Sequence, residues 1–594
     1  MFRGQARACL SATRIDMPTV IPVYEFVSED WYPGFRPGYT HAPWIAEPVG
    51  TFSARDEERF WFLDFHWPNG MTPMDYVIME DAYVWGSQSA AQSLPLPFGK
   101  GLTARVAGTH LYGGEVPLDS PWEQDFRAQR FGRNLAPILT KFREIWETRV
   151  QELEEALLYL ENEDLTDKPL NELGQFLIEA RLFLKRAWEI HFELKYPLLD
   201  QYLSFSRICT DLGVDPAEVP KFLQGYDNKI LETDRELWNL TNYARELGIE
   251  NVFRTNEPEN LFAALKVGGP KAEGWLKKFN SFLREYGHRT DGIADLSMAP
   301  WTEDPTPPLG TIKTFLQKGG SFDFDKAHQA AVDEREAAIV DARTKMAEDE
   351  LDTFNQALQY TQETNFAWWN DEHCFWIDFR AHIPLRRACV AVAEAVGAAR
   401  KDDTLFLFWP ELMSLVRGEK KWSHMRWMAH TRRQYYQHWR AMRAWMPKML
   451  GTIPEEVQDP ILIETHGLHR HFLGAMRNAD KRNEGVLTGI AASSGLVRGR
   501  ARVLHSADEL HRIQPGEILV CESTTTSWTL AFGKIGGCVC DIGGTLAHAS
   551  IVSREYRLPC VVGVGTGTSQ IRTGDEIEVD GSKGVVTVLK RSAA

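Results

Sequence analysis

Apolar residues return along this chain in two rhythms. Through the middle they recur every three or four positions, and Leu173, Phe176, Leu177, Ala180 and Leu184 would share one helical face. Residues 326–350, rich in alanine and alternating charge, predict a long, partly exposed helix. From about residue 486 the rhythm shortens to β-branched runs (GRARVLH, EILVC, GCVCDI, PCVVGV, EIEVDG, GVVTVL) parted by glycine turns, which predicts a compact α/β domain. Ser506 followed by Glu509 predicts a capping box opening a helix through Leu510. Before residue 120, proline, glycine and aromatics crowd together (FHWPNGMTPMDY, LPLPFGKGL), as loops and strands do.

A multidomain α+β chain is therefore expected: an N-terminal Pro/Gly/aromatic-rich lobe over 1–120, a mainly helical region over 121–476, a polar linker over 477–485 (RNADKRNEG) and an α/β domain over 486–594. Composition sharpens the last boundary, because 19 of the 20 Trp precede residue 485 while 15 of the 45 Gly fall after it. At 594 residues the chain exceeds what one hydrophobic core supports. Its net charge of -16 and lack of a basic block argue against nucleic acid as a partner. The 8 cysteines are sparse and form no C-x-x-C pair, which fits a reducing compartment. With neither a membrane-length apolar run nor a secretory core, the expectation is a cytoplasmic protein without a membrane partner. The opening MFRGQARACLSATRID has the Arg-rich look of a transit peptide, and we read it as a disordered lead-in with Met17 as the start.

The chemistry concentrates in GGCVCDIGGTLAHASIVSREYRLPCVVG, residues 536–563. A buried strand runs into Gly543-Gly544, and His548 follows at or near the start of a helix expected over Ala549–Glu555. Glycines allow a tight turn, and a helix N-terminus offers free N–H groups to an anion. A neutral imidazole there is a good nucleophile, and phosphohistidine a labile donor. On these residues alone, a histidine merely packed beside a strand-to-helix turn is the better account, since lone histidines and Gly-Gly turns are common.

The stretch GGTLAHASIVSREYRLPCVVGVG resembles the phosphohistidine signature of the swivelling, mobile domain of phosphoenolpyruvate-utilising enzymes and dikinases. GIAASSGLVRGRARV at 489–503, ILVCESTTTSWTLAF at 518–532 and GDEIEVDGSKGVVTVL at 574–589 extend the resemblance over all of 486–594. It implies that His548 is phosphorylated, with Gly543, Gly544 and Arg554 shaping its turn. Leu546 stands where Thr is usual, Ala547 where Ser or Cys is usual, and Ser494 where Pro is common. Neither a barrel after His548, nor a G-x-x-x-x-G-K-[ST] loop, nor an ATP-grasp module is recognisable.

FLREYGHRTDGIADLSMAPWTEDP (282–305), FLDFHWPNGMTPMDYVIMED (62–81) and DDTLFLFWPEL (402–412) resemble the substrate domain of rifampicin phosphotransferases. The whole arrangement is similar to the large subunit of phenylphosphate synthase and of two-component kinases acting on 4-hydroxyacetophenone or acetovanillone. That resemblance implies an ATP-grasp partner subunit holding ATP and Mg²⁺, no permanently bound cofactor, and His548 passing one phosphoryl group to a small phenolic substrate, leaving AMP and phosphate. Two other readings stay open: a phosphotransferase acting on a rifamycin-like macrocycle, which needs a large open pocket, and a non-catalytic protein that senses phosphorylation.

A phenol is mostly protonated at neutral pH, so transfer needs a base and cations around phosphate. Within YGHRTDG, Arg289 is the expected phosphoryl clamp and His288 the expected base or hydrogen-bond partner, with Asp295 orienting either one or capping a turn. His66, in a Pro-Gly loop between two aromatics, is a substrate-binding candidate. Trp369, His373, Trp376 and Arg380 share a helical face; core packing accounts for it, with Trp369, Glu372 and His373 kept as substrate-site candidates. His466, His469 and His471 lack a completing carboxylate or cysteine, so a solvated helix end is expected and no metal site is proposed.

Overall fold

The computed structural model describes residues 19–592 apart from 24–31, 36–44, 46, 48, 217, 291, 318–323, 479–484, 506 and 526–527. Met17, Ser506 and most of the 477–485 segment therefore lie outside the described residues.

The molecule is a multidomain α+β protein built of two regions. A six-stranded sheet serves the first, in the order Val20–Ile21, Met449–Thr452, Phe60–Leu63, His110–Glu115, Leu102–Ala107, Gly50–Thr51. The strand Met449–Thr452 enters this N-terminal sheet from far along the chain, pairing antiparallel with Phe60–Leu63. One apolar core runs unbroken from Tyr32 through the helices to Met476, so the boundary expected at residue 120 does not divide the core.

The helix Leu170–Asp211 crosses this region over 42 residues, about 63 Å at 1.5 Å per residue. Leu173, Phe176, Leu177, Ala180 and Leu184 are all buried on it, as their spacing requires. The stretch expected as one helix over 326–350 is two, Phe324–Thr344 and Glu348–Glu363. Glu350 accepts the Ala347 N–H at 2.8 Å, which starts the second helix.

After the linker an eight-stranded sheet forms. Its centre is parallel: Leu496–Val503, Ile518–Cys521, Gly537–Cys540 and Cys560–Val562 lie side by side. Parallel neighbours need a crossover, and the helix His548–Glu555 supplies it between the last two. Residues 507–512, expected as a helix, form a 3-10 turn, and Glu509 accepts the His505 N–H. No helix among the described residues is long and apolar enough to cross a membrane.

The C-terminal domain packs directly on the helical region. Ile542 and Leu546 are buried in the helical region's core rather than in their own, each contact of that kind being worth about 1.5–3 kcal/mol when complete. Lys448 pairs with Asp541, and Arg443 with Glu522, across the same junction.

Candidate functional site

Strand Gly537–Cys540 ends at the carboxyl edge of the parallel sheet, the edge where α/β domains present their ligands. Gly543 then turns the chain with φ +128°, a conformation that favours glycine, and Ala547 lies in extended backbone just before His548 opens the crossover helix. The loop is braced from within. Arg554 donates to the Thr545 carbonyl at 2.6 Å and to the Ala492 carbonyl at 2.8 Å, and Ser550 donates to the Gly544 carbonyl at 2.6 Å.

It is also held from outside. A Cβ on Gly544 would sit 2.3 Å from the Glu464 carbonyl oxygen, so only glycine permits this approach. Facing it, Gly467 (φ +74°) lies against Gly543 just as closely. Thr545 donates to Glu464 Oε2 at 2.9 Å, sealing the junction.

His548 is half-buried here. Burial, then the charge of Arg289, pulls its pKa down to about 3, so the imidazole is neutral at pH 7. Its Nδ1 lies 2.9 Å from Thr524 Oγ1. When Nδ1 carries the proton and donates it to that hydroxyl, Nε2 is left as the nucleophile. Thr524 thus supplies, from the loop after strand Ile518–Cys521, the hydroxyl missing at 546 and 547. The run Thr524–Thr526 was a signal in the sequence, but nothing local tied it to His548.

His548 faces a cavity whose far wall belongs to the helical region: Phe65, His66, Lys195, Asp371, Cys374 and Asp378 line it, with Thr524, Gly543 and Leu546 on the carrier side. About 80 Å³ is open to the centre of a water molecule.

The expected residues divide. Gly543 and His66 line the cavity; Arg289 is buried, close enough for its charge to act on His548, with its guanidinium over Trp301 and Phe379. His288, its neighbour, sits among different charges. Burial lowers its pKa, and the charges it feels are those of Glu161, Arg380 and Arg387. Neither His288 nor Arg289 is among the residues that line the cavity. In an irregular loop, adjacent side chains meet different surroundings, and GHRTDG gave no sign of which one would act on His548.

Asp295 accepts from the backbone and hydroxyl of Ser297 at 2.8 and 2.6 Å, the turn-capping alternative. Glu372 accepts the Lys229 N–H at 2.9 Å at the start of helix Lys229–Leu247 and stays out of the cavity. Trp369 is fully buried, and His373 stacks on it with centroids 4.2 Å apart. Arg380 forms a two-pronged pair with Glu161 at 2.7 Å and is not among the residues lining the cavity.

His466 corrects the expectation of a solvated helix end: it is buried, 3.8 Å from Asp64 Oδ2, and only His471 of that trio is exposed. A carboxylate from four hundred residues earlier completes the group, which spacing could not reveal. Among the described residues three groups bring three such side chains within 4.8 Å: Asp64 with His66 and His466, Asp378 with His191 and His373, and Cys521 with Cys538 and Cys540. The first two border the cavity through His66 and Asp378.

Lys195 and Asp378 were missed. Lys195 occupies a buried turn of the long apolar helix, 3.2 Å from His191 Nε2. Burial lowers its pKa against the pull of Asp378. Asp378 ends a π-helical segment, Cys374–Asp378, whose wider turn breaks the 3.6-residue period.

Comparisons with known proteins bear on the two regions separately. Residues 513–584 match the mobile domain of PEP-utilising enzymes, and residues 198–367 match the fourth domain of rifampicin phosphotransferase. The C-terminal domain is thus a mobile domain of the PEP-utilising type, attached to a region like that of rifampicin phosphotransferases. An uncharacterized phosphotransferase, YvkC, of Bacillus subtilis (strain 168) is 29% identical over 563 residues, covering 92% of this chain and 64% of that protein. Rifampicin phosphotransferase of the same organism is 26% identical over 315 residues, 52% of this chain and 34% of that one. A probable phosphoenolpyruvate synthase of Methanothermobacter thermautotrophicus is 40% identical over 106 residues, 18% of this chain and 16% of its own. The chain spans less than two thirds of each of these relatives.

Proposed function

We propose that this chain is a phosphotransferase that carries a phosphoryl group on Nε2 of His548 and delivers it to the hydroxyl of a small phenolic compound. The carrying observation is that His548 shares one cavity with aromatic and polar side chains of the helical region. The phosphoryl comes from ATP, held with Mg²⁺ by an ATP-grasp partner subunit, and the chain works in aromatic-compound catabolism in the cytoplasm.

Transfer to the acceptor breaks the N–P bond and forms an O–P bond; the imidazole leaves neutral, which its depressed pKa favours. Arg289 takes the part of the cation facing the phosphoryl oxygens, which gain charge during transfer. Phe65 and Phe379 line the cavity and supply aromatic surface for an aromatic acceptor. The small free volume supports a simple phenol over a macrocycle of rifamycin type. A sensor without chemistry would have no need of a carrier histidine docked in a cavity.

The test is to supply ATP labelled at the β-phosphate together with the partner. Label is expected on His548 and then on the phenol, and both should vanish in His548→Ala. Label retained by that variant, or product formed without it, would overturn the reading.

A further inference from the structure

Resting on that reading, we infer that Asp64 and His66 form the hydrogen-bonded pair that takes the proton from the acceptor hydroxyl, with His66 the catalytic base and Asp64 its positioning residue.

His66 is locked in place. Its Nδ1 lies 2.7 Å from Asp64 Oδ1, which also accepts the His66 backbone N–H at 2.7 Å. Its ring stacks on Phe65 at 4.5 Å and meets the edge of Tyr83 at 5.3 Å. Burial would raise the Asp64 pKa, but the charges of His66 and His466 and the hydrogen bond with His66 outweigh it and hold the carboxyl well below the usual range. A carboxylate on Nδ1 fixes the proton there and directs the lone pair of Nε2 outward. Nε2 has no hydrogen-bond partner among the described residues, and His66 lines the cavity into which His548 projects.

Two alternatives fit less well. Atoms 2.7 Å apart are at hydrogen-bond distance, whereas two ligands each about 2.1 Å from one ion sit roughly 3 Å apart or more, so Asp64 Oδ1 and His66 Nδ1 are a proton-sharing pair rather than metal ligands. Among the other cavity acids, Asp378 is held by His191 at 3.2 Å, His373 at 3.4 Å and the Cys374 thiol at 3.2 Å. Asp371 is grouped with Asp234 and Glu555, and Glu555 lies about 10 Å along the helix from His548 at 1.5 Å per residue. The Asp64 pair, by contrast, adjoins the phosphohistidine loop, because His466 precedes Gly467, which abuts Gly543.

In the step, the phenolic oxygen attacks phosphorus while its proton passes to His66 Nε2. The O–P bond forms, the N–P bond breaks, and that electron pair returns to His548 Nε2. His66 remains as an imidazolium against Asp64 and gives its proton to solvent.

The full-length chain is charged on His548 with potassium phosphoramidate, which needs no partner, and mixed with unsubstituted phenol or 4-nitrophenol in single-turnover runs at pH 8. Phenol needs a base; 4-nitrophenol is already largely ionised there. His66→Gln and His66→Ala should charge normally and transfer to phenol ~100-fold or more slowly, the lower end for general-base catalysis, while losing fewer than ten-fold with 4-nitrophenol. Asp64→Asn should show the same selectivity. Loss shared equally by both phenols, or phenol transfer unchanged in both His66 variants, overturns the base assignment while leaving the carrier reading intact. A wild-type chain that charges but transfers to neither phenol overturns both.

Discussion

The approach of Gly544 to Glu464 sets how deeply the carrier loop enters the helical region, and it can be spoiled by one methyl group. In Gly544→Ala the new Cβ would lie 2.3 Å from the Glu464 carbonyl oxygen and 2.7 Å from its carbon, where ordinary contact begins at 3.4 Å. Both atoms are backbone, so the loop must retreat by about 1 Å. A displacement of that size at a reacting centre costs on the order of 100-fold, or about 2.7 kcal/mol of barrier at 1.36 kcal/mol per factor of ten. Gly467→Ala probes the same contact from the opposite side. Its Cβ would fall 2.3 Å from the Gly543 oxygen, and φ +74° adds roughly 1–2 kcal/mol of local strain. Each variant is charged with phosphoramidate and mixed with phenol, and phosphohistidine decay is followed by rapid quench. Both should charge like wild type and transfer far more slowly, although one change sits on the carrier and the other on the acceptor region. If either transfers within three-fold of wild type, the junction does not position His548 for transfer.

Two further outcomes follow from the same site. Thr524→Val removes the hydroxyl beside Nδ1, a bond worth about 1 kcal/mol, so charging of His548 should slow about five-fold and ¹⁵N spectra should show a changed tautomer balance. Burial lowers His110, His382 and His548 to about 3 and His469 to about 4. Between those values and the ordinary 6.5 these imidazoles stay neutral in the folded chain, so the stability they contribute is full above pH 6.5 and is lost towards pH 4, and NMR should show all four still neutral at about pH 5.5; imidazolium signals from them at that pH would contradict their burial.

What could be read in advance was what sits close together in sequence. Gly543, Gly544 and His548 lie within one strand-turn-helix and could be read from turn chemistry, whereas Arg554 came only with the resemblance to the phosphohistidine signature. The acceptor side was only partly legible, because its groups meet through packing. Lys195 looks like one more residue of a long buried helix, and Asp378 reaches the cavity because a π turn shifts the register. Asp64 stood two residues from His66 in full view, but the partner that marks the pair, His466, arrives from the far end of the region. Arg289 and His288 show the limit most plainly, since neighbours in an irregular loop face different surroundings.

The cavity borrows one wall from the carrier domain, and Arg443 of the helical region joins the two sides by binding the Asp64 carbonyl at 2.8 Å as well as Glu522 in the loop before Thr524. A carrier that leaves to be recharged takes its wall along and releases Arg443 from one of its two anchors. On the proposed reading that absence opens the cavity to guests, and an acceptor seated then is enclosed when the carrier returns. Delivery and enclosure become one event, and little bulk water is present to squander the N–P bond while they last.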